Sequence, residues 1–84
     1  MPVDRLRAAR NKTVGTKQTR KAVASGVAKV VFLAEDADER VLQDLLRTCH
    51  ERSIEVVQVE SMAELGRACG IEVGAASAAV IEDS

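Results

Sequence analysis

An uninterrupted apolar run at residues 30–34 restricts the fold of this chain more than any other feature. The run reads Val-Val-Phe-Leu-Ala, it begins with two β-branched residues, and the strand it predicts starts at Lys29. Such a run is typical of a strand that is covered on both faces. A second apolar run, residues 75–81, contains one serine and also fits a buried strand. Strands of this kind need helices on each side of their sheet.

The first half of the chain alternates helical and extended patterns. Residues 4–12 have a helical pattern with a narrow apolar face. A second helix is predicted over residues 16–25, with Gly26 as its stop. The segment 36–39, Asp-Ala-Asp-Glu, has the form of a capping box that opens a helix ending at Arg52.

The second half continues the alternation. Residues 54–59 are predicted to form a strand, and residues 61–64, Ser-Met-Ala-Glu, form a second capping box. The helix that follows should run through Cys69 and end at Gly70, and residues 76–82 should form the last strand. The alternation predicts an α/β fold, with one sheet flanked by helices on both faces. With 84 residues, the chain should form a single domain, residues 1–84.

Composition excludes one large group of nucleic-acid binders. Phe32 is the only aromatic residue in the chain. Single-strand binders of the recognition-motif and oligonucleotide-barrel types need several aromatic faces on which bases stack. We therefore expect no stacking platform of that kind.

Charge is divided sharply along the chain. Residues 1–30 carry eight Lys or Arg against one Asp, whereas residues 31–84 carry four Arg against twelve Asp or Glu. Such asymmetry is suggestive of an RNA or DNA face in the basic part. An ordinary solvated basic surface is the alternative.

The predicted second helix begins with a concentration of positive charge. Its N-terminus leaves backbone N–H groups unpaired, and Lys17, Arg20 and Lys21 share one face. We expect Gly15 to allow a sharp turn and Thr16 to cap a free N–H group. Cations oppose the helix dipole at this end, so a phosphate-bearing partner is favoured, although Lys and Arg also suit a merely solvated helix face.

A glycine-bounded turn at residues 70–74 carries two apolar residues where polar residues would be expected. Ile71 and Val73 are both β-branched, and Glu72 lies between them. One interpretation is that the apolar side chains fill the core as the last strand begins. The other is that they cover an apolar group of a ligand.

Catalytic and metal-binding patterns are missing from the sequence. Cys49 and Cys69 are too far apart for a metal-binding pair, and they fit reduced core residues of a cytosolic protein. His50 follows Cys49 on a predicted helix, where neighbours point about 100° apart, so they form a poor nucleophile and base. His50 is better explained as a surface or boundary residue. We therefore predict no catalytic residue, no metal, no cofactor and no membrane span.

Two motifs in order carry a family resemblance: Gly-Thr-Lys-Gln-Thr-Arg-Lys at residues 15–21, and Leu-Gly through Cys-Gly-Ile-Glu-Val-Gly-Ala-Ala at residues 65–76. Together they resemble the superfamily of the ribosomal proteins seven-Ae and thirty-e, the kink-turn RNA binders, and most closely its short bacterial members. The resemblance implies a three-layer α/β/α sandwich with a central mixed sheet of about four strands. It also implies binding to RNA in which a short bulge bends a duplex beside tandem sheared G·A pairs.

The resemblance implies a role for each motif. Gly15 and Thr16 would make the close backbone approach, and Lys17 and Gln18 would meet guanine edges. The archaeal and eukaryotic pattern has Asn and Glu at these last two positions, and Lys-Gln resembles the bacterial branch. The loop would cover the bulged nucleotide. The implied RNA-binding residues are Gly15, Thr16, Lys17, Gln18, Arg20, Lys21, Ile71, Glu72 and Val73.

The sequence thus predicts a non-enzymatic, monomeric, cytoplasmic protein that binds structured RNA, for which ribosomal RNA is one candidate, with its acidic half facing away from the RNA. A protein-interaction adaptor that uses the acidic segment 36–64 is a second reading. A third is the substrate-binding fragment of an RNA-modifying enzyme, since some RNA methyltransferases have a similar N-terminal domain. Nothing in the sequence is suited to bind a methyl donor, which argues against the third.

Overall fold

A four-stranded mixed sheet forms the centre of the computed structural model, which describes residues 3–81. The strands are β1 (Lys12–Val14), β2 (Ala28–Ala34), β3 (Glu55–Val59) and β4 (Ser77–Ile81), in the spatial order β1-β4-β2-β3. β2 and β3 run parallel, and β4 is antiparallel to both of its neighbours, β1 and β2. The predicted mixed sheet of four strands is therefore confirmed.

Helices cover both faces of this sheet. They are α1 (Asp4–Ala8), α2 (Thr16–Ala24), α3 (Glu39–Glu51) and α4 (Met62–Ala68). Side chains of β2 alternate between two apolar clusters: Phe32 lies in the cluster with Leu6 of α1 and Leu65 of α4, and Val31 lies in the cluster with Val23 and Leu45 of α2 and α3. The three-layer α/β/α sandwich and the doubly covered strand are confirmed.

The first helix is shorter than its sequence pattern predicts. The prediction of a helix over residues 4–12 is wrong beyond Ala8, because Lys12 is already part of β1. Lys12 pairs with Val80 of β4, and its ammonium group donates a hydrogen bond to the Leu6 carbonyl at 3.2 Å. Pairing with a strand distant in sequence overrides local helix propensity here.

One of the two predicted capping boxes is formed differently. The cap of α3 is Asp38, whose carboxylate accepts from the Arg40 N–H at 2.8 Å, so the prediction of a box beginning at Asp36 is wrong. Asp36 instead accepts a hydrogen bond at 2.8 Å from the N–H of Met62, in the first turn of α4. The Ser61 cap of the second box is confirmed, because the Ser61 hydroxyl accepts from the Glu64 N–H at 3.1 Å.

The remaining boundaries agree with the sequence patterns to within about two residues. Gly26 and Gly70 follow α2 and α4 with φ of 76° and 81°, as expected of helix stops. The last strand begins at Ser77 rather than residue 76, and its predicted end at Glu82 lies outside the described residues. Every helix within residues 3–81 is too short or too polar to cross a membrane.

Candidate nucleic-acid interface

The start of α2 is left open by its own cap residue. Gly15 occupies the cap position with φ 95° and ψ 156°, and no side chain of residues 3–81 caps the helix. The prediction that Thr16 caps α2 is wrong, because its hydroxyl instead accepts a hydrogen bond from the Ser77 hydroxyl at 3.3 Å. The first-turn N–H groups therefore lack a side-chain partner and remain suited to an acceptor such as a phosphate.

The exposed face of α2 presents polar side chains that have no hydrogen-bond or ion-pair partner within residues 3–81. Thr19 and Val23 are buried on the inner face, as the helical pattern predicts. Lys17, Gln18 and Lys21 are exposed, and their side chains form no ion pair or hydrogen bond within residues 3–81. Three unpaired donors thus lie in the first two turns of one helix.

Arg20 differs from these three residues because it already has a partner. Its guanidinium lies 2.8 Å from one carboxylate oxygen of Asp44 on α3, and the other oxygen lies 3.0 Å from Arg47. The acidic half of the chain therefore reaches the cationic face of α2 at Asp44, contrary to the expectation that it faces away. Arg20 is 53% exposed in this pair, so the pair is weakly held.

The turn at residues 70–74 is fixed against α4 by its backbone. The N–H of Ile71 donates to the Gly66 carbonyl, and the N–H of Ala75 donates to the Met62 carbonyl, both at 3.0 Å. Gly66 is buried, and a Cβ atom at this position would overlap the Val73 carbonyl. The absence of a side chain at Gly66 therefore lets the turn lie directly on the helix.

The two apolar residues of this turn have different environments. Ile71 is half-buried and packs against the cluster between the sheet and helices α1 and α4. Val73 is 69% exposed, and Glu72 is exposed beside it. Packing in the core accounts for an apolar residue at position 71. It does not account for Val73, which is the most exposed large apolar side chain within residues 3–81.

Ser77 joins the start of α2 to the turn. Its carbonyl accepts from the Gly15 N–H at 2.8 Å, and its fully buried hydroxyl donates to Thr16. Val73 and Ser77 are four positions apart in the sequence, which is at most about 14 Å of extended chain. The start of α2 is therefore bonded to the residue at which β4 begins, and Val73 lies within about 14 Å of that residue.

Sequence reasoning missed Ser77 as a residue of this site. The available signal was its position, because it is the one polar residue within the apolar run 75–81. A buried hydroxyl needs a hydrogen-bond partner, and that need pointed to a specific contact. A second hydroxyl pair, Thr13 and Thr19 at 3.2 Å, joins β1 to the buried face of α2.

The cysteines and the histidine form no reactive group. Cys49 and Cys69 are free and buried, which confirms their interpretation as reduced core residues. Burial raises the pKa of both thiols, and nearby Lys12 partly offsets the rise in the pKa of Cys69. His50 is exposed in the last turn of α3, as expected of a surface residue. Within residues 3–81, no three His, Cys, Asp or Glu side chains are grouped to hold a metal ion.

Residues 3–84 match the model of the ribosomal protein L7Ae/L30e/S12e/Gadd45 family. The chain belongs to this family. The resemblance inferred from residues 15–21 and 65–76 is therefore confirmed.

Similar bacterial proteins of known name support the assignment to the L7Ae family. An RNA-binding protein of Caldanaerobacter subterraneus subsp. tengcongensis is 47% identical over 68 residues, which is 81% of this chain and 83% of that protein. The RNA-binding protein YbxF of Geobacillus stearothermophilus is 43% identical, with the same coverage of both chains.

A solved structure of the same fold extends the comparison beyond bacteria. The 15.5kD RNA binding protein of Giardia lamblia superimposes with a TM-score of 0.85 and 26% sequence identity. The match covers 99% of this chain and 70% of that one. These L7Ae-family relatives are named for binding rather than for a reaction, in agreement with the prediction of a non-enzymatic protein.

Proposed function

We propose that this L7Ae-family chain binds RNA and recognises the kink-turn, a duplex bent at a short bulge beside tandem sheared G·A pairs. The names of its relatives support RNA as the partner class. One observation carries the proposal furthest: Ser77 ties the open start of α2 to the strand that follows the exposed turn. A bent RNA can touch both segments at once, whereas a straight duplex presents one groove to the helix.

In this proposal the start of α2 enters the groove at the G·A pairs. Gly15 and Thr16 allow the backbone to approach closely, because the cap position carries no side chain. Lys17 donates to guanine O6 or N7, and Gln18 accepts from guanine N1 or N2 through its amide oxygen. The bases are thus read by their edges, without aromatic stacking.

The remaining groups hold the backbone and the bulge. Lys21 meets a guanine or a phosphate, and Arg20 contributes positive charge at the phosphates. Val73 packs on the extruded base, and Glu72 faces the edge of that nucleotide. The half-buried Ile71 anchors the turn to the apolar cluster beneath it. The proposal therefore assigns the larger apolar contact to Val73, the more exposed of the two residues.

Disrupting the G·A pairs tests the proposal directly. We expect the full chain to bind a kink-turn RNA, and to bind a variant with Watson–Crick pairs in place of the G·A pairs at least about tenfold more weakly, because base-edge contacts contribute ~1–3 kcal/mol each. Isothermal titration calorimetry of both RNAs measures the difference. Equal affinity would contradict kink-turn recognition, and no binding to either RNA would favour the adaptor reading.

A change at Asp44 should strengthen RNA binding. Asp44→Asn removes a negative charge 2.8 Å from the Arg20 guanidinium, so Arg20 becomes available to phosphates. We expect affinity to rise about twofold to threefold, because exposed ion pairs contribute ~0.2–1 kcal/mol. The gain should shrink as salt rises. Glu51→Gln, the same charge change at the far end of α3, is the matched control. Weaker binding by Asp44→Asn would instead make Asp44 a residue that positions Arg20.

The proposal also covers the location and the stoichiometry of binding. We propose that the chain is a cytoplasmic, single-domain monomer that binds one kink-turn, and that ribosomal RNA is the first candidate for the RNA that contains it. A one-to-one complex in analytical ultracentrifugation supports it, and a two-to-one complex on an RNA with one kink-turn contradicts it.

A further inference from the structure

A groove lies between α3 and the edge of the sheet, away from the α2 surface described above. Its volume is about 270 Å³, below the ~300–1,000 Å³ of pockets that enclose drug-sized ligands. Its apolar part is formed by Leu33 of β2 and by Leu42 and Leu46 of α3. Leu42 and Leu46 are only half-buried, one turn apart on the helix. The groove suits protruding side chains better than a cofactor.

The groove opens beside β3, a strand whose outer edge is not paired with another strand of the described chain. β3 pairs with β2, and within the described residues no other strand lies on its outer side. Gln58 of β3 lines the groove, so the strand edge and the apolar part are adjacent. An exposed edge of this kind offers a row of N–H and C=O groups to an added strand.

Charge at the groove disfavours RNA and favours a cationic occupant. Glu35 and Glu39 line it and are exposed, and no Lys or Arg of the described chain lines it. Gln43 donates a hydrogen bond to the Glu39 carboxylate at 2.9 Å, which leaves its negative charge in place. Two carboxylates repel phosphates and attract ammonium or guanidinium groups. The complementary partner is therefore cationic.

We infer that this groove docks an extended, lysine- or arginine-rich segment of a partner protein. The segment adds a strand to β3. On the face of the added strand that lies toward α3, its apolar side chains enter between Leu42 and Leu46, and its cations on that same face meet Glu35 and Glu39. RNA binding and this docking use separate surfaces.

Peptide titration of the full chain, followed by amide NMR shifts, tests this inference. The probe is a short acetylated and amidated peptide in which every second residue is in turn leucine or lysine, with threonine between them, so that both kinds of side chain lie on one face of the strand. We expect saturable shifts in residues 55–59 of β3 and in Leu42 and Leu46. A peptide with glutamate in place of lysine should not bind. An N-methylated version, which cannot extend a sheet, should bind at least about fivefold more weakly.

Variants of the protein separate the groove from general electrostatics. Glu35→Gln combined with Glu39→Gln should weaken probe binding about fivefold. Glu51→Gln combined with Glu64→Gln removes the same charge elsewhere and should leave binding unchanged. Equal loss in both double variants, or shifts that never saturate, would overturn the inference. So would sedimentation showing that the groove is filled by a second copy of the chain, or a kink-turn RNA that shifts the β3 amides.

Discussion

Replacing Lys17, Gln18 or Lys21 with alanine should each weaken kink-turn binding by about 1–3 kcal/mol while leaving the fold intact. All three side chains are exposed and form no hydrogen bond or ion pair within residues 3–81, so their removal breaks no such interaction of the protein. Lys17 and Gln18 should alter the preference for G·A pairs. Lys21, if it meets a phosphate, should lower affinity for kink-turns of all sequences alike. Calorimetric titration and urea unfolding measure affinity and stability separately.

Lys29→Ala is the matched control for these variants. Lys29 is exposed, has no ion pair within residues 3–81, and lies near the start of β2, whereas Ser77 pairs with Leu33 near the other end of that strand. The control removes one positive charge at the far end of the sheet, and its effect should be small because salt screens distant charges. Unchanged RNA affinity in all three variants would contradict the assignment of this site. An equally large loss of affinity in Lys29→Ala would show that the effect comes from overall charge and not from the assigned site.

Gly66→Ala should lower the free energy of unfolding by about 1–3 kcal/mol and weaken RNA binding as well. Helix propensity alone predicts the opposite, because alanine is favoured over glycine within a helix by ~0.8–1.0 kcal/mol. The added Cβ atom would overlap the Val73 carbonyl, however, and backbone atoms cannot move aside as a flexible side chain does. The turn must therefore lift away from α4, and it carries Val73 with it.

Ala63→Gly provides the reference for helix propensity in the same helix. Ala63 is exposed in α4, so this substitution measures the cost of glycine without a packing change. Urea unfolding of both variants, with kink-turn titration of Gly66→Ala, gives stability and affinity. A Gly66→Ala protein as stable as the parent, with full RNA affinity, would show that the turn is not fixed by this contact.

Elements with a strong internal pattern were predicted well from the sequence. The continuous apolar run in β2 required cover on both faces, and Phe32 and Val31 indeed enter two different clusters. The buried and exposed faces of α2 were also predicted from helical spacing, because residues three or four positions apart lie on the same face of a helix and therefore share its environment. Burial is a property that spacing along the chain can encode.

Contacts between distant segments were the ones that failed or were missed. Asp36 and Asp38 both suit a helix cap, and only the position of Met62, 26 residues beyond Asp36, decides that Asp36 serves α4. In the same way, local pattern extended α1 into Lys12, where strand pairing with β4 prevails. Arg20 reads as a free cation until α3 brings Asp44 to it.

Residue spacing was sufficient to predict the layers of this fold, the buried faces of its main helices, and the two motifs that identify the family. The availability of groups at the site depends instead on contacts that the folded chain creates. Ser77 brings the start of α2 to the turn, Gly66 sets the turn on its helix, and Asp44 occupies Arg20. The physical reason is that periodic burial is repeated along the chain, whereas a hydrogen bond or an ion pair depends on two residues whose proximity the sheet order creates.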